Sequence, residues 1–310
     1  MASEGGGRIK RFMVKYLVKL LRPRMAAIFL LPFTWGFAAA ADLHPHIFWY
    51  KILFAYLSFT LGSLFASSYN FYIDVETDRL HDDLYKDQPM TQQPFLTGSM
   101  GKWETRFLFT FSIIGCFVFA ALVNWRFLIV MPAVEIAVLG LMYNHPWIHF
   151  KAKPAVDIFT IALAASLEML AGWFIASTRW PAFEPLVWGF VFALTLYLPT
   201  VSNDMVFDRQ AGYRTSAVVF GPKALMNAMF PSLLVMVAVA IPNFIIPVGW
   251  VWQLLVGFGS LFAMAYTAII HWRWDETVVH TRFNPWILVG PVIAGIFFFF
   301  VLAIIQLVRA

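Results

Sequence analysis

The sequence predicts an all-α, polytopic membrane protein with nine transmembrane helices. Of its 310 residues, 61% are hydrophobic and 13% are charged, whereas soluble domains carry about 25% charged residues. Apolar runs of about 20 residues, the length that crosses a bilayer as a helix, recur along the chain. The predicted spans are residues 25–43, 49–69, 105–123, 127–143, 155–176, 185–203, 224–242, 247–270 and 285–308.

The first 24 residues differ from the rest. Residues 8–22 alternate an apolar face with a basic face at helical spacing, which is typical of a helix lying on an anionic membrane surface. We therefore predict a basic amphipathic interfacial segment at 1–24 and one membrane domain at 25–310; an ordinary basic flank is the alternative. Residues 38–41 resemble a signal-cleavage site, but the run before them is span-length, so we expect a retained helix.

The formal charge of +5 is distributed in a way that argues against nucleic-acid binding and for a lipid bilayer. Lys and Arg concentrate in the N-terminal arm and in the connections after even-numbered spans. By the positive-inside rule, this asymmetry predicts that the N-terminus and these connections are cytoplasmic. The basic residues on the other side are Lys51, Arg126, Arg179 and Arg309.

Two acidic clusters follow spans 2 and 6. Asn70, Asp74 and Asp78 lie at intervals of four residues, so on a helix they share one face. Asp204 and Asp208 repeat the spacing. Carboxylate and amide oxygens suit Mg²⁺, which bridges to substrate phosphates. One such pair is ordinarily a solvated helix end, but two pairs that each abut a span predict a diphosphate-handling enzyme.

Basic side chains follow both spans 4 and 6. Arg209 and Arg214 come after the second cluster, and a guanidinium can bind phosphate bidentately; positive-inside loop charge is the alternative. Lys151 and Lys153 lie between spans 4 and 5, where they can meet a diphosphate from the opposite wall, and Asp157 is predicted to pair with one of them. The polar connections 79–104 and 204–223 are predicted to form a lid over the shared site.

These motifs together resemble the UbiA superfamily of intramembrane prenyltransferases. The resemblance rests on N-x-x-x-D-x-x-x-D from Asn70, D-x-x-x-D from Asp204, the Tyr143–Pro154 loop and the run Asp208–Thr215, and it extends over nearly the whole chain. It implies a nine-helix bundle around a central cavity that opens to lipid, and Mg²⁺-dependent ionisation of a polyprenyl diphosphate. The metal positions carried over are Asn70, Asp74, Asp78, Asp204 and Asp208.

The same resemblance, joined to the charges above, gives the remaining candidate site residues. The four aspartates Asp74, Asp78, Asp204 and Asp208 are expected to act in catalysis with Lys151. The expected prenyl diphosphate contacts are Tyr143, Lys153, Arg209 and Arg214. The sequence departs from the family at Gln93, where an Arg usually precedes the proline, so Lys86 is a possible substitute. It departs again at Val206 and Phe207, which replace Glu and Gly in many members.

The expected activity is prenyl transfer to a lipophilic acceptor, either aromatic or isoprenoid; no oligomeric state is predicted. The alternative is terpene cyclisation, which shares the ionisation but uses an internal double bond as nucleophile. A transporter ranks last because the acidic clusters lie at helix ends rather than at midplane. The aromatic side chains Phe111, Phe117, Trp173 and Tyr197 are candidates for the cavity wall, and packing or lipid contact is the alternative for each. Glu135 and Glu168 lie deep in apolar runs, where charges are costly and usually face a cavity. Either can orient an acceptor or take the proton released after attack; a protonated, hydrogen-bonded helix contact is the alternative.

Overall fold

The computed structural model is helical and contains no strand in the residues that it describes, which are 16–17, 19–44, 46–84, 94–203, 205–245, 249–273 and 286–309. A short 3₁₀ turn, Phe150–Ala152, follows the fourth span. The helices are α1 Pro23–Leu43, α2 Trp49–Ile73, α3 Val75–Leu84, α4 Lys102–Ala121, α5 Trp125–Pro132, α6 Val156–Ala176, α7 Phe183–Asn203, α8 Met205–Gln210, α9 Ser216–Phe220, α10 Pro222–Ile245, α11 Trp250–Arg273 and α12 Trp286–Arg309.

The predicted membrane architecture is confirmed. Within the described ranges, nine helices are long and apolar enough to cross a bilayer, and their limits differ from the predicted ones by a few residues. The short helices α3, α8 and α9 follow spans 2 and 6, so they lie at one end of the bundle. The spans are Ala26–Leu43, Trp49–Ile73, Lys102–Ala121, Trp125–Met142, Val156–Ala176, Phe183–Ser202, Pro222–Pro242, Trp250–Trp272 and Gly290–Arg309.

Helices α1 and α6 form the centre of the bundle. They pack along each other, and α12 packs on the outside of α1. Helix α7 packs on α6, and α10 packs on α7. Two glycines allow the close approach: a Cβ added at Gly36 would overlap the carbonyl oxygen of Met169, and one at Gly172 would overlap that of Phe33. Helix α2 lies between α4 and the segment after α5, completing the other side.

The fourth span changes its helical winding halfway. Residues Ala133–Met142 form a π-helix that continues directly from Pro132, whose missing N–H removes one bond of the α-helical ladder. The wide turns are satisfied in part by a side chain, because Asn144 Nδ2 donates to the Leu139 carbonyl at 2.7 Å. Gly140 makes room for the Phe65 ring, which a Cβ would approach to 2.6 Å.

The N-terminal arm is described only from residue 16. Residues 16–17 and 19–21 are helical, and Leu20 is buried against Leu64 of α2 and Leu108 of α4. Residues 1–15 lie outside the described part, so the interfacial segment remains a prediction. Lys86 and Gln93, whose roles were predicted above, also lie outside it.

Candidate active site

Three connections at the same end of the bundle bring charged side chains together. Asp74 stands between α2 and α3, Lys151 lies in the 3₁₀ turn after the fourth span, and Asp208 lies on α8. Lys151 Nζ forms an ion pair with Asp74 Oδ1, and the Asp208 carboxyl interacts electrostatically with both partners. The side chains of the pair are only 10% and 14% exposed, so water screens their charges weakly.

Asp74 occupies a break rather than a continuous helix. The sequence predicted one helical stripe through Asn70, Asp74 and Asp78, but α2 ends at Ile73 and Asp78 belongs to a new helix. Asp74 itself adopts φ −89° and ψ 11°, a sparsely occupied backbone region where active-site residues often lie. Asn70 still contacts Asp74 across the break, because its Nδ2 donates to Asp74 Oδ2 at 2.8 Å.

Asn70 is held by two further polar contacts. Its Nδ2 also donates to Asn144 Oδ1 at 2.6 Å, which links the end of α2 to the end of the π-helix. Its Oδ1 accepts a hydrogen bond of 3.1 Å from Arg22, just before α1, whose guanidinium lies 4.7 Å from the Phe71 ring centroid. Asn70 is thus fixed with its amide nitrogen toward Asp74 and its amide oxygen toward Arg22.

The loop that carries Lys151 is shaped by strained backbone. His149 and Ala155 both have positive φ, 47° and 66°, which is unusual for residues with a Cβ. The His149 ring meets the Tyr213 ring edge-on at 5.0 Å, and Lys151 Nζ lies 5.8 Å from the centroid of the same ring. Burial and the charge of Lys151 lower the pKa of His149, so it is a neutral neighbour of the ion pair at neutral pH.

The environment of Asp208 makes it responsive to a cation. Burial raises its pKa to about 6, while the hydrogen bond from Thr215 and the charge of Lys151 act in the opposite direction. Thr215 Oγ1 donates to Asp208 Oδ2 at 2.9 Å. A turn through Gly212, with φ 76°, returns the chain so that Tyr213 N–H donates to the Asp208 carbonyl at 2.8 Å.

Comparison with known proteins decides the family. The model of the UbiA prenyltransferase family matches residues 29–284. This chain belongs to that family. The predicted resemblance is therefore confirmed. The curated proteins contain no match.

Solved structures of other UbiA proteins share the fold. A UbiA homolog from Archaeoglobus fulgidus bound to DMAPP and Mg²⁺ is 27% identical, with a TM-score of 0.85, covering 95% of this chain and 100% of that chain. The same homolog bound to GPP and Mg²⁺ is 27% identical, with a TM-score of 0.84, and the match covers 94% of this chain and 99% of that chain. An apo UbiA homolog from Aeropyrum pernix K1 is 20% identical, with a TM-score of 0.66 over 88% and 97%, and shows the fold alone.

The donor set of this UbiA chain fits a hard cation. Asp74 interacts electrostatically with Asp208 and contacts Asn70, and Asp78 follows Asp74 by one turn; carboxylate and amide oxygens are ligands of the type Mg²⁺ prefers. Asp204, the other predicted ligand, lies outside the described residues. Within the described part, no three Asp, Glu, His or Cys side chains already cluster at metal-binding distance. Lys151 supplies the positive charge there instead.

Asp157 does not pair with a lysine, contrary to the sequence prediction. Its Oδ2 accepts from Ser216 N at 2.8 Å and its Oδ1 from Ser216 Oγ at 2.5 Å. Ser216 Oγ in turn accepts from Ala155 N at 2.7 Å. Ser216 donates two hydrogen bonds to the Asp157 carboxylate and accepts one from the Ala155 N–H, whereas an ammonium group could only donate. These bonds connect the start of α6 to the start of α9. Asp157 is therefore a structural clamp beside the site in this UbiA chain.

The other predicted diphosphate contacts divide into two groups. Tyr143 points inward, and its hydroxyl lies 2.9 Å from that of Tyr197 on α7. Lys153, Arg209 and Arg214 are exposed: Lys153 Nζ lies 5.3 Å from the Phe150 ring centroid, and Arg209 contacts Met205. The structure does not bring these three cations to the Asp74–Lys151 pair.

Two predicted wall aromatics face outward. Phe111 and Phe117 on α4 are 53% and 45% exposed, so they meet lipid rather than the bundle interior. Their spacing fits a helix but carries no information on which face is buried, since the lipid and the interior are both apolar. Trp173 is half-buried and lines a small crevice away from the aspartates, with Gly36 and Trp252. Tyr197 faces the interior, as expected.

Sequence reasoning missed four residues of the site: Arg22, Asn144, Tyr213 and Thr215. Arg22 and Asn144 act through Asn70, and Thr215 acts through Asp208. Tyr213 receives a hydrogen bond from Thr77 at 3.3 Å, which joins the two connections that follow the acidic clusters. Helices α3 and α8 of those connections also contact each other. Asn144 and Thr215 stand inside the motifs that carried the resemblance, so motif membership was the available signal.

Proposed function

We propose that this chain is a Mg²⁺-dependent intramembrane prenyltransferase. It would ionise a polyprenyl diphosphate and transfer the prenyl group to a lipophilic acceptor, aromatic or isoprenoid. The observation that carries the proposal is that Lys151 pairs with Asp74 and interacts electrostatically with Asp208, although the two aspartates follow different spans. The Archaeoglobus fulgidus relative, bound to DMAPP or GPP with Mg²⁺, supports this choice of substrate and cofactor.

The aspartates and Asn70 would hold Mg²⁺, which neutralises the negative charge of a departing diphosphate. The ligands we assign are Asn70, Asp74, Asp78 and Asp208, joined by Asp204. Lys151 then has a second role. Once a divalent cation compensates the aspartates, the ammonium group is free to donate to a diphosphate oxygen instead. Because the pair is nearly buried, little bulk water competes for that contact.

The interior below this polar layer suits an allylic cation. The facing hydroxyls of Tyr143 and Tyr197 lie under the charged groups, and below them is an apolar cluster that includes Ala66, Leu139 and Ala164. An apolar interior keeps water from quenching the cation. The tyrosine rings can stabilise its charge through their faces.

We infer that the site faces the cytoplasm. The support is the charge asymmetry, because the N-terminal arm and the connections after spans 2, 4 and 6 carry most of the basic residues. A cytoplasmic site would give the enzyme direct access to soluble Mg²⁺ and to a cytosolic diphosphate.

The test is pyrophosphate release by purified protein with Mg²⁺ and C10 to C20 prenyl diphosphates, with and without a lipid extract as acceptor source. We expect release and a new adduct mass only when the acceptor is present. Asp74→Asn should lower the rate by about 10² or more, as expected for loss of a group that acts on developing charge. Glu76→Gln is the matched control, since Glu76 is an exposed partner of Arg79.

Two results would overturn the proposal. Wild-type protein that releases no pyrophosphate with any of these substrates is not a diphosphate-ionising enzyme. An Asp74→Asn variant as active as wild type would remove the assigned site. Release without acceptor, with a cyclic hydrocarbon or terpene alcohol as product, would identify the alternative activity, terpene cyclisation.

A further inference from the structure

A pair of carboxyl groups lies inside the bundle. Glu135 on the π-helix and Glu168 on α6 are 1% and 0% exposed. Ser63 of α2 donates to Glu135 Oε1 at 2.5 Å, and the Glu168 carboxyl lies beside that of Glu135. Apart from this neighbouring carboxyl, neither oxygen of Glu168 has a hydrogen-bond partner among the described residues. The contact with Glu135 satisfies at most one oxygen of Glu168; buried acceptors are nearly always satisfied, so the other oxygen lacks a donor.

Two serine hydroxyls of α2 on this side of the pair are bonded to atoms other than Glu168. Ser58 Oγ donates to the Cys116 carbonyl at 2.8 Å, and Ser63 is bonded to Glu135. Gly62 lets Glu135 pack closely against α2, because an added Cβ would lie 2.7 Å from the Glu135 Cβ. The close packing of Glu135 against α2 fixes its position. Because Glu135 occupies one side of the Glu168 carboxyl, a donor has to approach Glu168 from another side.

The carboxyl pair lies in the same column of the bundle as the proposed diphosphate site. Ser63 precedes Asn70 on α2 by two turns, which places the pair about 10 Å deeper at the rise of an α-helix. Between the two layers lie Ala66 of α2 and Ala164 of α6, whose small side chains separate the polar groups. A molecule held below the diphosphate would therefore meet these carboxyls.

We infer that Glu168, positioned by Glu135, receives a hydroxyl group of the prenyl acceptor. This inference rests on the proposed prenyl transfer. A prenyl chain is a hydrocarbon and carries no hydrogen-bond donor, so the donor that Glu168 lacks has to come from the second substrate. An acceptor whose nucleophilic carbon lies under the diphosphate and whose hydroxyl lies deeper spans the two layers. A cyclase, which has no second substrate, offers no such donor.

The inference is tested by binding rather than turnover. The probes are 4-nonylphenol and its methyl ether, 4-nonylanisole, bound to the full chain in nanodiscs and followed by tryptophan quenching. We expect Glu168→Met to weaken phenol binding about tenfold and to leave ether binding unchanged, since only the phenol donates a hydrogen bond. The ratio of these two effects cancels the different membrane partitioning of the probes.

Controls separate this role from a structural one. Ser166→Ala, on the same helix, removes a hydroxyl that donates to the Leu186 carbonyl at 2.7 Å and should leave the phenol-to-ether ratio unchanged. Replacing a buried acid by apolar Met is expected to preserve the fold. Should Glu168→Met fail to fold, Glu168→Gln, which keeps one acceptor oxygen, should lower the ratio by a smaller factor.

The result that overturns the inference is a phenol-to-ether ratio that is the same in wild type and in the Glu168 variants. Equal weakening of both probes would also overturn it, because the carboxyl would then act on the bundle and not on the hydroxyl. If the phenol-to-ether ratio is unchanged in the Glu168 variants while the wild type releases pyrophosphate, only the proposed role of Glu168 in binding the acceptor hydroxyl is refuted. Absence of pyrophosphate release would refute the proposed function, whatever the ratio.

Discussion

Removal of the Lys151 ammonium tests the centre of the proposed site. Lys151→Met keeps the length and apolar stem of the side chain but leaves Asp74 without its cation and close to Asp208. Breaking a buried ion pair on one side costs about 3 kcal/mol or more, because the remaining charge has lost its compensation. The low exposure of both partners, 10% and 14%, means that little of this cost is relieved by solvent.

Mg²⁺ should narrow the stability difference between Lys151→Met and wild type. In chelator, Lys151→Met is expected to unfold well before wild type, since the nearly buried Asp74 carboxylate has lost its cation and still interacts with Asp208. With Mg²⁺, the variant should recover most of that loss and gain more stability than wild type does, because binding to the folded state stabilises it by mass action. Its pyrophosphate release should nevertheless remain at least about 10² below wild type, since a donor to the leaving group is gone.

The assay is unfolding in detergent, followed by tryptophan fluorescence with Mg²⁺ or chelator, alongside pyrophosphate release. Lys153→Met is the matched control. Lys153 lies two residues after Lys151 and is exposed, so this variant removes the same charge without touching the buried pair. Its folding equilibrium constant and its rate of pyrophosphate release should each change by less than about threefold. Equal losses in both variants would show that loop charge in general is responsible. Wild-type stability of Lys151→Met in chelator would refute the reasoning about the buried pair.

Three further predictions follow from individual contacts. Gly172→Ala should abolish folding, because its Cβ overlaps the Phe33 carbonyl, whereas Gly290→Ala, with no atom within 4 Å, should be neutral by thermal unfolding. Thr215→Val should slow pyrophosphate release about tenfold through loss of the Asp208 hydrogen bond; Thr215→Ser should retain the rate, and equal loss in both would point to packing. Phe117→Leu should leave product yield unchanged, and a lower yield would place that ring in the cavity.

Hydropathy and spacing carried the prediction of this fold because both are local. A span is recognised by about 20 apolar residues in a row, and the cluster around Asp74 is recognised by its four-residue intervals. The partner of Asp157 could not be found in this way. Ser216 is 59 residues distant and neutral, and only the packing of α9 against α6 makes it a better partner than a nearby lysine. The break at Asp74 is equally invisible, since no Gly or Pro marks it.

The contact between Arg22 and Asn70 bears on how a metal could enter this site. A carbonyl oxygen has two lone pairs, and Arg22 occupies one of those on Asn70 Oδ1 at 3.1 Å. The amide nitrogen faces Asp74, so a cation shared by Asp74 and Asn70 Oδ1 requires the amide to turn over and its bond to Arg22 to be rearranged. The Arg22 guanidinium lies over the Phe71 ring. The backbone of Arg22 has φ 46°, which turns the chain abruptly into α1. The start of the first span therefore orients a ligand at the end of the second, and the proposed metal site depends on the docking of the N-terminal arm.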